Sequence, residues 1–335
     1  MSMKLEEIPR IRLGFYPTPL HELPRLSRML GGPRIFIKRD DLTGLAFGGN
    51  KTRIIEYIFA DAKNVGADVI VASCGVQSNW ARQITAAAKI LGMKPVLILR
   101  TAQFGEKPKE YDGNLLLDKL MGADVRIVKA PISADVSKEM AEVANEYAAK
   151  GHRPYILYSE PPIGVFGYVN CAYELVQQAM EQGIKIDYIV HASSGGATQA
   201  GLILGMKMQG LKTRIIGISA ASRPKPVLVN DIKRLIDGAA KILGLDINLS
   251  DGDVFVSDDY ELGGYGAPSN DVFNTIRTVA ELEGIILDPV YTGKAMTGLI
   301  DLIKKGYFSR DEAVVFLHTG GLPALFAYRG FFGSP

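Results

Sequence analysis

The chain has 335 residues, 47% hydrophobic and 22% charged, with a formal net charge of +2. That length accommodates two domains with separate cores, and a near-neutral balance without a basic block excludes nucleic acid and anionic membranes as expected partners. Two cysteines, Cys74 and Cys171, exclude a disulfide framework or a cysteine-based metal cluster.

The opening residues MSMKLEEIPRIRLG lack the apolar core of a signal peptide. Tyr16 to Leu20 is a proline-stiffened extended segment, because residues before proline avoid the helical region. Helical spacing over Leu23 to Leu30 stops at Gly31-Gly32-Pro33, and Arg34 to Arg39 alternates as a strand does. Phe47-Gly48-Gly49-Asn50-Lys51-Thr52-Arg53 follows: two glycines for a tight turn, then a lysine ahead of a helix over Arg53 to Lys63. Strand and helix patterns then alternate. The strands are Asp68 to Ser73, Pro95 to Leu99, Val125 to Val128 and Tyr155 to Tyr158. The helices are Trp80 to Leu91, Gly113 to Met121 and Ala134 to Ala149. Pro161-Pro162-Ile163-Gly164 breaks the rhythm as a crossover. Beyond it come a helix over Val165 to Glu181, strands at Tyr188–Ala192, Arg214–Ala220, Val254–Val256 and Val314–His318, and helices at Pro226–Leu243 and Asn270–Leu282. No run of about twenty apolar residues is present to span a membrane, and the expected location is the cytoplasm.

Near-continuous apolar strands, each followed by a helix, mark a parallel sheet covered on both faces. The expected fold is α/β, with two domains that are each an open, mostly parallel twisted sheet flanked by helices. Residues 1–53 and 160–335 form the expected larger domain, and 54–159 the smaller. Ligands in such folds sit outside the carboxyl ends of the strands, which places the expected active site in the cleft between domains.

Several loops carry chemistry. A lysine held among apolar walls or other cations loses its proton and attacks carbonyls, which makes Lys51 a candidate nucleophile. Ser193-Ser194-Gly195-Gly196-Ala197-Thr198 joins a strand to a helix start, a cradle suited to phosphate. It matches neither the dinucleotide fingerprint nor a Walker A loop. Ser78-Asn79 caps the next helix and can grip a carboxylate. Tyr265, in a glycine-rich loop, and Tyr291, after Asp288-Pro289-Val290, are candidate acids or bases. The four histidines, His21, His152, His191 and His318, have no zinc spacing, so no metal is expected. A reactive lysine beside a phosphate cradle, without a nucleotide motif, points to pyridoxal 5′-phosphate. This cofactor offers an aldehyde to the lysine, a phosphate to the cradle and an electron sink for an α-carbanion. A nucleotide-binding oxidoreductase would need a dinucleotide loop that is missing here, and a solute-binding protein has no use for Lys51.

Phe47 to Arg53, Val76-Gln77-Ser78-Asn79, Ser194 to Gly201, Asp288-Pro289-Val290-Tyr291 and His318-Thr319-Gly320-Gly321 resemble, in order and over nearly the whole chain, the 1-aminocyclopropane-1-carboxylate (ACC) deaminase / D-cysteine desulfhydrase family. That family belongs to the tryptophan-synthase-β-like, fold type II pyridoxal-phosphate enzymes. The resemblance implies Lys51 as the Schiff-base lysine, Asn79 on the cofactor's phenolic oxygen, and Ser194, Gly195, Gly196, Ala197 and Thr198 around its phosphate. It places Asn50, Tyr291, Thr292 and Thr319 at the cofactor as well. Ser78, with Asn79, Gln77 and Trp80, would meet a small amino-acid substrate, and Tyr265 and Tyr291 would flank the reacting carbon. A homodimer is implied too.

The chain departs from the ACC deaminases at three positions. Those enzymes resemble one another in a Glu after the second tyrosine, partnering the pyridine nitrogen, and a Leu before the last Gly-Gly. Here Thr292 and Thr319 stand instead. Trp80 also replaces the usual His or Gln after Ser-Asn. A hydroxyl partner leaves the ring nitrogen largely neutral, a weaker sink that suffices to expel thiolate but not to open a cyclopropane. The expected activity is therefore D-cysteine desulfhydration to pyruvate, ammonia and sulfide. The alternative is ACC deamination to 2-oxobutanoate and ammonia.

Overall fold

The computed structural model describes residues 4–101, 111–220 and 223–333. Among the described residues, ten strands fall into two sheets. β1 (Leu20–Glu22), β2 (Arg34–Lys38), β7 (Tyr188–Ser193), β8 (Arg214–Ser219), β9 (Phe255–Ser257) and β10 (Ala313–Leu317) form one sheet, in the order β1-β2-β10-β7-β8-β9. β3 (Val69–Gly75), β4 (Lys94–Arg100), β5 (Asp124–Val128) and β6 (Pro154–Leu157) form the other, in the order β5-β4-β3-β6. Every pairing is parallel except β1 on β2. The expected α/β class of mostly parallel sheets is what the chain adopts.

β2 pairs with β10, so the early strand joins the late ones, with Val315 opposite Phe36. The chain leaves this sheet through helix Lys51–Asn64, builds the second sheet, and returns through helix Phe166–Glu181. Central strands β7 and β10 are buried along their length; their mostly apolar character follows from helices covering both faces. Helix Lys51–Asn64 is pinned by an internal ion network. Arg53, fully buried, donates to both oxygens of Asp40 at 2.8 and 2.9 Å and to Glu174 at 3.0 Å. Tyr168 donates to Asp40 Oδ2 at 2.6 Å. Asp40 is held below its ordinary value because Arg53 more than offsets the burial that would raise it.

Element limits differ from the sequence reading at a few places. Leu20–Glu22 adds an antiparallel edge strand where only extended chain was expected. The helix expected from Ala134 starts at Ser137, whose amide is taken by the Asp135 carboxylate. The helix expected from Arg53 starts at Lys51 itself. Among the described residues no helix is long and apolar enough to cross a membrane, and no group of three His, Cys, Asp or Glu is placed to hold a metal.

Candidate active site

A cavity of about 670 Å³ lies between the carboxyl ends of the two sheets' strands. Its walls come from the ends of β3 (Ser73, Cys74, Gly75), β4 (Arg100), β6 (Leu157) and β7 (Ala192, Ser193), and from Thr319 just after β10. Asn50, Lys51, Ser78, Asn79, Trp80, Ser194, Gly195, Gly196, Thr198, Tyr265 and Tyr291 line it too. Residues far apart in sequence thus converge at the place where open parallel sheets present ligand sites.

The turn before Lys51 has geometry that only glycine meets. Gly48 has φ +65°, and a Cβ there would lie 2.1 Å from the Asp41 carbonyl oxygen. Gly49 donates its amide to Asp40 O at 3.0 Å, and Asn50 donates its amide to Thr319 O at 3.0 Å. Lys51 therefore opens its helix from a turn fastened to the end of β10. Its Nζ donates to Glu160 Oε1 at 2.5 Å and lies 5.5 Å from the centre of the Trp80 ring.

Glu160, just beyond β6, is a cavity-lining residue that the sequence reading did not single out. Its other oxygen, Oε2, accepts the Ala197 amide at 2.9 Å. A carboxylate thus rests at the N-terminus of helix Ala197–Met208, where the serine-glycine loop was expected to receive an anion. A Cβ on Gly195 would come within 2.4 Å of it. Asn50 Nδ2 donates to Thr198 Oγ1 at 3.0 Å, tying the lysine turn to the same helix start. Glu160 acts as a stand-in anion: the helix start accepts a negatively charged oxygen group beside the Lys51 ammonium. Those are the two ends that pyridoxal 5′-phosphate requires, so the residues present fit that group. The only sequence signal for Glu160 was its place after a strand's carboxyl end.

Opposite the cradle, Ser78 caps helix Asn79–Ile90, its Oγ accepting the amides of Trp80 and Ala81 at 3.2 and 3.4 Å. Tyr291 donates its hydroxyl to that of Tyr265 at 2.9 Å. Burial raises the pKa of both phenols, so both stay protonated at neutral pH. Each is held by its own device. The Asp288 carboxylate accepts the amides of Val290, Tyr291 and Thr292 at 2.8–3.0 Å, fixing the turn that carries Tyr291. Lys294 Nζ donates to Glu261 O at 2.5 Å and also to Gly264 O, anchoring the loop that carries Tyr265.

Two expected site residues stand behind the wall, and Ala197 contributes only its backbone. Gln77 does not reach the cavity, because its amide group bonds Asp112 O and the Asn114 amide at 2.9 and 2.8 Å. Thr292 does not reach it either. Its hydroxyl closes on Asp288, accepting the backbone amide at 2.8 Å and donating to Oδ1 at 2.7 Å. In this structure the Thr292 side chain serves the turn that carries Tyr291.

Residues 11–320 match the family described as pyridoxal-phosphate dependent enzyme. The chain is 41% identical to the 1-aminocyclopropane-1-carboxylate deaminase of Burkholderia cenocepacia over 337 residues, covering 98% of this chain and 99% of that protein. It superimposes on a crystal structure titled as an ACC deaminase homologue with a TM-score of 0.88, at 39% identity, covering 98% of this chain and 96% of the other. A crystal structure of an O-ureido-L-serine synthase variant shares the fold, with a TM-score of 0.65 at 17% identity over 97% of this chain and 93% of that one.

Proposed function

The chain belongs to the pyridoxal-phosphate dependent enzymes, in their ACC deaminase / D-cysteine desulfhydrase family, and from that premise we propose that it deaminates a small α-amino acid in the cleft between its two sheets. The observation that carries this reading is the shared cavity of Lys51, the helix start holding a carboxylate, and the paired hydroxyls of Tyr265 and Tyr291. When bound, the cofactor supplies the electron sink for the substrate's α-carbon. The protein's own residues do the rest. Lys51 would hold the cofactor through its amine and would move the substrate's α-proton. Ser194 to Thr198 receive the phosphate. Ser78 and the first amides of helix Asn79–Ile90 receive the substrate carboxylate. Tyr291 and Tyr265, both protonated, hold a proton for the departing or newly formed β-carbon group. The supporting domain assignment is residues 1–53 with 160–335 as the larger unit and 54–159 as the smaller, working as a homodimer; light scattering on the purified protein tests the latter.

ACC is the substrate that the named relatives support, since the similarity to the Burkholderia enzyme runs the full length. One observation favours the second reading, D-cysteine desulfhydration. Thr319 lines the cavity, at a position where ACC deaminases resemble one another in carrying leucine. Thr292 supports it less than its residue type implies, because its hydroxyl is committed to Asp288.

The test is a direct comparison on purified, cofactor-loaded protein: 2-oxobutanoate from ACC against sulfide and pyruvate from D- and L-cysteine. A visible band at about 410–420 nm that borohydride bleaches is the sign of a cofactor joined to an amine. Lys51→Ala removes both the band and whichever product forms. Product from neither substrate class would overturn the proposed function, while the family would stand.

A further inference from the structure

Arg82 is fully buried, three residues into the helix that carries Asn79. Its Nη1 donates to Asn79 Oδ1 at 2.6 Å and also to Asn114 Oδ1; its Nη2 donates to Gly48 O at 2.8 Å. Among the described residues its Nε has no partner. Asn114 Nδ2 also donates to Asn79 Oδ1, at 3.1 Å. A guanidinium can only donate, so this contact fixes which end of the Asn79 amide is oxygen. With both acceptor positions of Oδ1 filled, the group Asn79 has left for the cavity it lines is its NH₂.

The charge of Arg82 is equally telling. Its partners are three neutral oxygens, and among the described residues it forms no ion pair within 4 Å. Asp118 and Asp288 are the carboxylates close enough to act on it, and burial still draws it down to about 10, protonated at neutral pH. Asp118 is itself pushed up to about 7 by burial, which weakens it as a counter-ion near neutral pH. A buried cation without a counter-ion is costly, and the cost falls if an anion lies one amide away.

We propose that Arg82 is a positioning residue. It turns the NH₂ of Asn79 into the cavity and, through that polarised amide, draws electron density away from the ring oxygen of the bound cofactor; this rests on the proposed role of Asn79. The same guanidinium joins the glycine turn of Lys51 to the helix of Asn79, so the lysine and the ring-oxygen donor are set by one side chain. Without its charge, Asn79 is a weaker donor. The ring oxygen then keeps more negative charge and holds the proton on the cofactor-linked lysine nitrogen to higher pH.

The experiment is a pH titration of the visible band of the cofactor-loaded protein, with cofactor affinity followed by quenching of Trp80, the chain's one tryptophan. Arg82→Gln is expected to raise the midpoint by about one pH unit, a tenfold change, and Arg82→Lys to raise it by less than half as much. Adding Arg82→Gln to Asn79→Ala should move the midpoint no further. An unmoved midpoint in the loaded Arg82→Gln protein, or an equal shift with and without Asn79, overturns the proposal. A purely structural role would lower stability or affinity and leave the midpoint alone. If Arg82→Gln fails to fold, Arg82→Lys decides, since it keeps the charge but loses the fork: a rise of at least about 0.3 unit is expected, and no rise overturns the idea. Absence of any visible band in the unaltered protein would instead count against the cofactor's attachment.

Discussion

Lys51 Nζ and Glu160 Oε1 stand 2.5 Å apart, and the second oxygen of the same carboxylate accepts the first amide of helix Ala197–Met208. One side chain therefore neutralises the lysine and fills the helix start. Phosphate arriving there must displace or outbid a like charge. Glu160→Gln removes that charge while keeping an oxygen for the Ala197 amide. The expected outcome is tighter cofactor binding by the apoprotein, by about tenfold, or about 1.4 kcal/mol. Titration with pyridoxal 5′-phosphate, followed by Trp80 quenching, measures it. Unchanged or weaker binding would mean that Glu160 supports the bound cofactor rather than competing with it.

Tyr291 donates to Tyr265 at 2.9 Å across rings inclined at 70°. Burial keeps both phenols protonated, which suits a proton donor better than a resting base. A positioned acid contributes about 10²–10⁴-fold. Tyr291→Phe should therefore lower kcat by about a hundredfold on the substrate the enzyme accepts, with the visible band intact. Loss of the band together with activity would place Tyr291 in cofactor binding alone.

The lysine turn, the Ser78 cap, the Ser194–Thr198 cradle and the parallel sheets were legible because each rests on local chain physics: glycine where φ is positive, a small polar residue at a helix start, apolar runs in covered strands. What the sequence hid depends on side-chain direction. Gln77 and Thr292 lie next to site residues in sequence, yet one reaches back to Asp112 and Asn114 and the other into the Asp288 turn. Glu160 belongs to no local pattern, and only tertiary folding brings it to Lys51; Arg82 lies one helical turn after Asn79, and what the sequence hid is that its guanidinium turns inward to Asn79, Asn114 and Gly48.

Asp118 ties the interior of the smaller sheet's layer to pH. Its Oδ1 accepts the Thr85 hydroxyl at 3.2 Å, and its Oδ2 has no partner among the described residues. Burial pushes the carboxyl up to about 7 from an ordinary value of 3.8. A folded value above the unfolded one contributes stability that is complete below the unfolded value and lost as pH rises through the folded one. The wild type should therefore lose about 2–3 kcal/mol relative to Asp118→Asn between pH 5 and pH 8. Urea midpoints of the two proteins at both pH values test this. A constant difference would mean that Asp118 is ionised throughout.

Arg53 sits two residues after Lys51 in the same motif, but its work is structural. Its guanidinium grips both oxygens of buried Asp40 and reaches Glu174, all within 3.0 Å, and the same Asp40 receives Tyr168. Removing one partner of a buried ion pair leaves the other uncompensated, a loss of about 3–5 kcal/mol. Arg53→Met should therefore be less stable by that margin, read as a lower urea midpoint. The protein that remains folded should bind cofactor with near-normal affinity, because Lys51, Asn79 and the Ser194 loop keep their own supports. A variant with unchanged stability but no cofactor binding would reverse the assignment and put Arg53 in the site. The distinction matters for reading the motif, since a lysine that lines the cavity and an arginine that anchors the helix are separated by a single residue.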